Sequence, residues 1–181
     1  MRGRTNQLFS DGELSAVLDG KVASIKDSVY SIPREQFLAT STDTLVEHLL
    51  SSLTIDPLVL QEDQMQMDHS EAQVEVTGRF EYDMGTGGRI HAAGHRLTFY
   101  IPFAGDPGLW KLRPNMWISV MPQGDVDPRR SVLTITLTNT ANTEPERYQR
   151  ELESTLQGIR QLISSQAQLL SQYHAGLGGR I

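Results

Sequence analysis

The chain has 181 residues, 38% hydrophobic and 21% charged, with a formal net charge of −6 and no cysteine. That is enough chain to bury one core with a long helix beside it, at an ordinary balance for a globular domain. It excludes a disulfide scaffold, a zinc–thiolate site and a cysteine nucleophile, and no run nears the ~20 apolar residues of a membrane span.

The chain opens with Met1-Arg2-Gly3-Arg4-Thr5-Asn6-Gln7. This is charged with no apolar segment behind it, so no signal peptide is expected and the cytoplasm is the expected location. Ser10-Asp11-Gly12-Glu13 has the form of a capping box. Leu14, Val17, Leu18, Val22 and Ile25 follow at helical spacing, which predicts an amphipathic helix over 11–28. Pro33 interrupts. Thr42-Asp43 opens a second helix carrying Leu45, Val46, Leu49, Leu50 and Leu53, ended by Pro57. Residues 61–70 are polar and acidic and read as a loop or a sheet edge.

The period then changes to two. Val74 and Val76 alternate with Gln73, Glu75 and Thr77 in a short strand, and 83–88 is a glycine-rich turn. His95, Leu97, Phe99, Ile101 and Phe103 alternate with Arg96, Thr98 and Tyr100 in the best-defined strand, with Pro102 at its end or at an edge. Residues 104–108 turn, 116–120 are a further strand, and 123–130 turn again. Leu133, Ile135 and Leu137 then alternate with threonines. The predicted core face is Leu97, Phe99, Ile101, Leu133, Ile135 and Leu137.

From Thr143 a long helix is predicted, with Thr143 and Glu146 as its capping box and Pro145 in its first turn. Leu152, Leu156, Ile159, Ile163, Gln166, Leu170 and Tyr173 are spaced alternately four and three apart, a heptad seam. Such a helix is roughly 45 Å long, beside a preceding body with a radius of gyration near ~14 Å. Its far end is expected to be wet in a monomer, so Gln166, Leu169, Leu170 and Tyr173 are the predicted interface. The predicted partner is a second copy of the chain, or an effector domain or protein. The fold class expected is α+β: an antiparallel meander of about four strands, two N-terminal helices and one long C-terminal helix. The α+β body spans 1–142 and the helix 143–175.

Charge divides the chain. Ten acidic residues and one basic stand between Asp43 and Asp83, against eight basic and five acidic between Met84 and Arg150. A nucleic-acid binder would carry a basic stripe over most of one face, so direct nucleic-acid contact is not expected. The local basic excess makes Arg89, Arg96, Lys111 and Arg113 candidates for holding a small anionic ligand or nucleotide. Gly85-Thr86-Gly87-Gly88-Arg89 has the look of an anion-cradling turn but lacks the Lys-Ser/Thr ending and the helix of a P-loop.

His91 and His95, four apart, would both bind one metal on a helix. On a strand they lie about 13 Å apart, and His69, after Asp68, could in principle complete a set. They read as satisfied or exposed, and neither a metal nor a cofactor is expected. No Ser-His-Asp order or pocketed carboxylate pair suggests an enzyme.

The run Leu97-Thr98-Phe99-Tyr100-Ile101-Pro102-Phe103-Ala104-Gly105-Asp106-Pro107-Gly108-Leu109-Trp110-Lys111-Leu112-Arg113-Pro114 resembles the amino-terminal module of bacterial multidomain defence proteins. There an Ile-Pro-Phe-x-Gly-Asp-like strand end precedes an Arg-Pro pair, another β segment and a long helix. Gly105-Asp106 and Arg113-Pro114 carry the match, which covers roughly 10–175. The resemblance implies a non-catalytic regulatory or assembly module on the sensor side of a restriction-endonuclease-like or TIR effector. It implies no nuclease or NADase activity for these residues. A purely structural role accounts for the same run: Gly105 supplies a turn conformation, Asp106 caps it, and Arg113 pairs with an acidic residue of the 43–83 region.

Overall fold

The computed structural model describes residues 7–76, 90–116, 118–177 and 179. The turn expected at 83–88, the Gly85–Arg89 stretch and Trp117 lie outside them. In chain order the elements are β1 (Gly12–Glu13), α1 (Leu14–Ala23), α2 (Ile25–Tyr30), α3 (Arg34–Ala39), α4 (Thr42–Leu53), β2 (Val59–Leu60), β3 (Gln66–Glu75), β4 (His91–Ala104), β5 (Leu112–Arg113), β6 (Asp125–Asp127), β7 (Val132–Thr140) and α5 (Pro145–Leu177). Short 3₁₀ turns stand at Glu62–Gln64 and Pro107–Lys111. The fold is α+β, with an antiparallel five-stranded sheet and a long C-terminal helix.

Two compact units form. The sheet unit takes Met1–Gln7, Leu60–Phe103 and Pro122–Ile159; the helical unit takes Leu8–Val59, Ala104–Met121 and Arg160–Ile181. The units cut across the division at residue 142 read from sequence, because each gathers separated stretches of chain and α5 gives one half to each.

In the sheet unit the period-two pattern sets the register. β4 and β7 run antiparallel with Leu97 opposite Leu137, Phe99 opposite Ile135 and Ile101 opposite Leu133. Paired residues share a face, so the six predicted core residues form three cross-strand rows. Phe99, Ile101, Leu133 and Ile135 are buried, and each contributes about 1.5–3 kcal/mol by leaving water; Leu97 and Leu137 are half-buried. The expected meander is corrected: the strand order is β2-β4-β7-β6, with β3 also on β4. β7 skips past β6 because its long apolar alternation matches that of β4, whereas the three residues of β6 can only extend the far side. The expected turn at 123–130 therefore holds β6, and the turn proper is closed by Asp127 Oδ1, which accepts from Arg129 and Arg130 N at 3.0 and 3.2 Å.

Strand β3 extends the short strand expected around Val74 back into the stretch read as a loop or a sheet edge, and it takes the edge position. It is ten residues long and pairs residue for residue with β4, from Gln66 opposite Tyr100 to Glu75 opposite His91. Only Val74 is buried, so there was no apolar alternation to announce it. Gly94 sits opposite Ala72 on one side and Thr140 on the other. A Cβ there would run into the Asn139 carbonyl oxygen and the Val74 side chain.

The helical unit corrects several boundaries. The helix expected over 11–28 begins at Leu14, and Glu13 at its N-cap makes no side-chain capping bond. Gly12 and Glu13 are instead paired in parallel with Leu112 and Arg113, and Asp11 N donates to Lys111 O. The helix breaks at Ser24, whose hydroxyl donates back to Lys21 O and competes with the helical ladder. The second helix is capped by Ser41 Oγ, which accepts from Thr44 N at 3.2 Å. No strand appears among the described residues of 116–120, where prolines at 114 and 122 bracket the chain. Gly105 has φ +97, and Asp106 Oδ1 accepts from Gly108 N at 2.7 Å, so the turn reading of that run holds.

The far half of α5 is not wet. Leu170 and Gln166 are each 1% exposed, and Leu169 and Tyr173 are half-buried. Gln166 Nε2 donates to Leu109 O at 2.8 Å and Leu112 O at 2.6 Å. Tyr173 OH donates to Leu53 O at 3.0 Å, and Ile55 N donates to His174 Nε2. Ile25, Leu53 and Leu177 form a cluster with Val29, Leu50 and Tyr173 against it. The set Gln166, Leu169, Leu170 and Tyr173 is therefore packing inside the helical unit, not an open seam.

Two glycines give opposite expectations. Gly94→Ala should destabilise by about 1–3 kcal/mol through overpacking. Gly158→Ala, in α5 with nothing near its Cβ position, should stabilise by about 0.4–1 kcal/mol. Urea unfolding of both variants checks this; equal effects would contradict the register at Gly94.

Candidate functional site

The sequence-predicted basic set is not assembled within one unit. Arg96 is exposed on the sheet unit, Lys111 and Arg113 belong to the helical unit, and Arg89 lies outside the described residues. Arg113 donates to Glu13 Oε1 at 2.7 Å, so its acidic partner is Glu13 and not a residue of the 43–83 region. A pair of this exposure is worth little in stability, yet it occupies the guanidinium.

What the sheet does assemble lies on β3 and β4. The register places Glu71 opposite His95 and His69 opposite Leu97. Side chains two apart on a strand share a face, so His69, Glu71 and His95 project from the same side. His69 Nε2 and His95 Nδ1 meet at 3.0 Å, with ring centroids 5.0 Å apart and tilted by 46°. Asp68 Oδ1 accepts from His69 N at 2.8 Å and holds the backbone there. The row continues into β7, where Asn139 lies opposite His95. Asn139 is buried and its Nδ2 donates to Glu151 Oε2 at 3.0 Å; Arg147 Nε donates to Oε1 of the same carboxylate at 3.2 Å. Tyr148 OH closes the row from α5, donating to Asn139 O and His95 O at 3.4 and 3.5 Å.

A cavity of about 390 Å³ adjoins this row, lined by Glu71, Gln73, Ala93, Gly94, His95 and Ala141. A shallower hollow of about 680 Å³ lies on α5 beside Leu137, between Arg147, Arg150 and Glu151. His91 stands opposite Glu75, apart from the histidine pair. The sequence offers His69 as a companion of His91 and His95 but leaves it in a stretch that reads as a loop or a sheet edge, so its place opposite β4 was not legible.

The strand that carries His69 and Glu71 has a second property. Among the described residues β3 pairs with β4 alone, and from Gln66 to Gln73 its side chains on both faces are exposed or half-buried. Met67 is 60% exposed. An edge of this length presents a row of backbone donors and acceptors.

No protein-family model, curated protein or solved structure matches the chain. Among the described residues no helix is long and apolar enough to cross a membrane.

The pKa of Tyr148 is raised, first by burial and then by the neighbouring Glu151 carboxylate; that of Tyr173 is raised by burial. A raised value in the folded state gives stability that is complete below the ordinary tyrosine range, near ~10, and is lost as pH climbs through the folded value. The urea midpoint should therefore fall above about pH 10. The double variant Tyr148→Phe, Tyr173→Phe should start lower, by about 1 kcal/mol per lost hydrogen bond, and should decline less. Parallel declines in wild type and variant would contradict the assignment.

Proposed function

We propose that this chain is a non-catalytic regulatory or assembly module that engages a protein partner at the outer edge of β3. One observation carries the reading: a ten-residue strand whose single neighbour among the described residues is β4, exposed on both faces for most of its length. Adding a strand to such an edge gains a ladder of main-chain hydrogen bonds, while alternate side chains set specificity.

Charge selects the occupant. β3 carries Asp68, Glu71 and Glu75 and no lysine or arginine. Two copies joined edge to edge would bring six carboxylates into one seam with no cation to offset them, and like charges opposed across strands destabilise. The partner is therefore an extended segment rich in lysine or arginine from another protein. The resemblance of the Leu97–Pro114 run to modules that precede effector domains points the same way. It makes the effector protein of a bacterial, anti-phage type of defence system the first partner class to test. The anion-binding alternative gains no support from Arg113, which is engaged by Glu13.

The test uses a short peptide of alternating lysine and valine, titrated into isotope-labelled protein. Perturbation of β3 amides is expected, weakening with salt and lost in the double variant Asp68→Lys, Glu75→Lys, both of whose positions are exposed. Absence of any β3 perturbation, or binding unchanged by the charge reversal, would overturn the proposal.

A further inference from the structure

Two imidazole nitrogens facing each other at 3.0 Å share one proton: one ring donates it and the other accepts. The same geometry suits a different occupant. A tetrahedral zinc ion with bonds of about 2.0–2.1 Å to nitrogen sets its nitrogens about 3.3 Å apart, so the pair needs to open by only a few tenths of an ångström.

The third donor comes from the register. Glu71 is directly opposite His95, where Cβ atoms are about 4.5–5.5 Å apart, and it is two residues from His69 on the same face. A His-x-Glu pair on one strand and a histidine on the antiparallel neighbour thus converge on one patch. Two imidazoles and a carboxylate are a donor set for zinc and other first-row divalent ions. Among the described residues no three such groups stand around one point, so binding requires the exposed Glu71 side chain to turn toward the pair.

We propose that His69, His95 and Glu71 bind a divalent first-row transition metal, for which Zn²⁺ is the probe. The metal takes the place of the shared proton, which moves to the far nitrogen of its own ring. His69 Nε2 and His95 Nδ1 are the two fixed ligands, and Glu71 closes in as the third. The cavity beside Glu71 and His95 leaves room for water in the fourth position. Because the ligands come from two strands, bound metal staples the middle of β3 to β4 beneath the open edge.

The full chain, stripped with a chelator, is titrated with ZnCl₂ by calorimetry, and its melting temperature is followed with and without the metal. One zinc per chain and a raised melting temperature are expected, since a ligand that binds only the folded state stabilises it. His69→Ala and His95→Ala each remove the binding. Glu71→Gln weakens it ~10-fold or more, at least the loss that follows removal of an outer partner of a metal site. His69 and Glu71 are exposed, so their variants fold; circular dichroism checks His95→Ala. No zinc binding by the wild type, or binding that persists unchanged in His69→Ala, would overturn the proposal, the latter moving the ion to His48, His91 or His174. The titration contains no protein partner, so its outcome is independent of what the β3 edge recruits.

Discussion

The cross-strand register of β4 on β7 is the constraint from which the sheet unit follows. Three apolar rows, Leu97 with Leu137, Phe99 with Ile135 and Ile101 with Leu133, bury one face. A slip of one residue in either strand would turn that strand's three apolar side chains over to the polar side. With β4 fixed this way, its other edge has to be satisfied, and β3 does so although it has almost nothing of its own to bury. The polar character of β3 is thus a consequence of β4's stability: the strand is held by its ladder to β4, and its side chains are left to chemistry. His69, Glu71 and His95 share a face for the same reason that the core residues do.

In the helical unit the corresponding role falls to a single amide. Gln166 sits at a heptad position and is buried, with both bonds of its Nε2 spent on the carbonyls of Leu109 and Leu112. Those carbonyls belong to the 3₁₀ turn and to the start of β5; Leu109 O also accepts from Leu112 N. The buried amide adds a donor to each of them, and a hydrogen bond of this kind contributes about 0.5–1.5 kcal/mol. The heptad pattern was legible in the sequence; its meaning was not, because a polar residue in an apolar seam looks the same whether it faces a second helix or a loop of its own chain.

The same distinction separates what sequence could and could not show elsewhere. Strong alternation at 95–103 and 133–137 announced two strands and their shared face. Most of β3 could be read only as a loop or a sheet edge, because exposed Gln66, Asp68, Ser70 and Gln73 carry no period. α3 escaped because none of its residues is buried. The pair Glu13–Arg113 joins residues 100 apart, and β1 and β5 are two residues each, so only the fold could bring them together. The stretch at 116–120 has strand-forming residues, yet its described residues form no strand. Of the candidate site, His95 was legible on a strand; its meeting with His69 depends on the register of β3 against β4, which no pattern in the sequence carries.

Among the described residues β3 is held on one side and open on the other, and residue-level amide exchange in the isolated chain measures this most directly. Along β3, the amides bonded to β4 should be protected and the intervening ones should exchange fast, while the paired amides of β4 and β7 stay protected throughout. Uniform protection of every β3 amide would mean that the chain itself covers the outer edge, and would contradict the account.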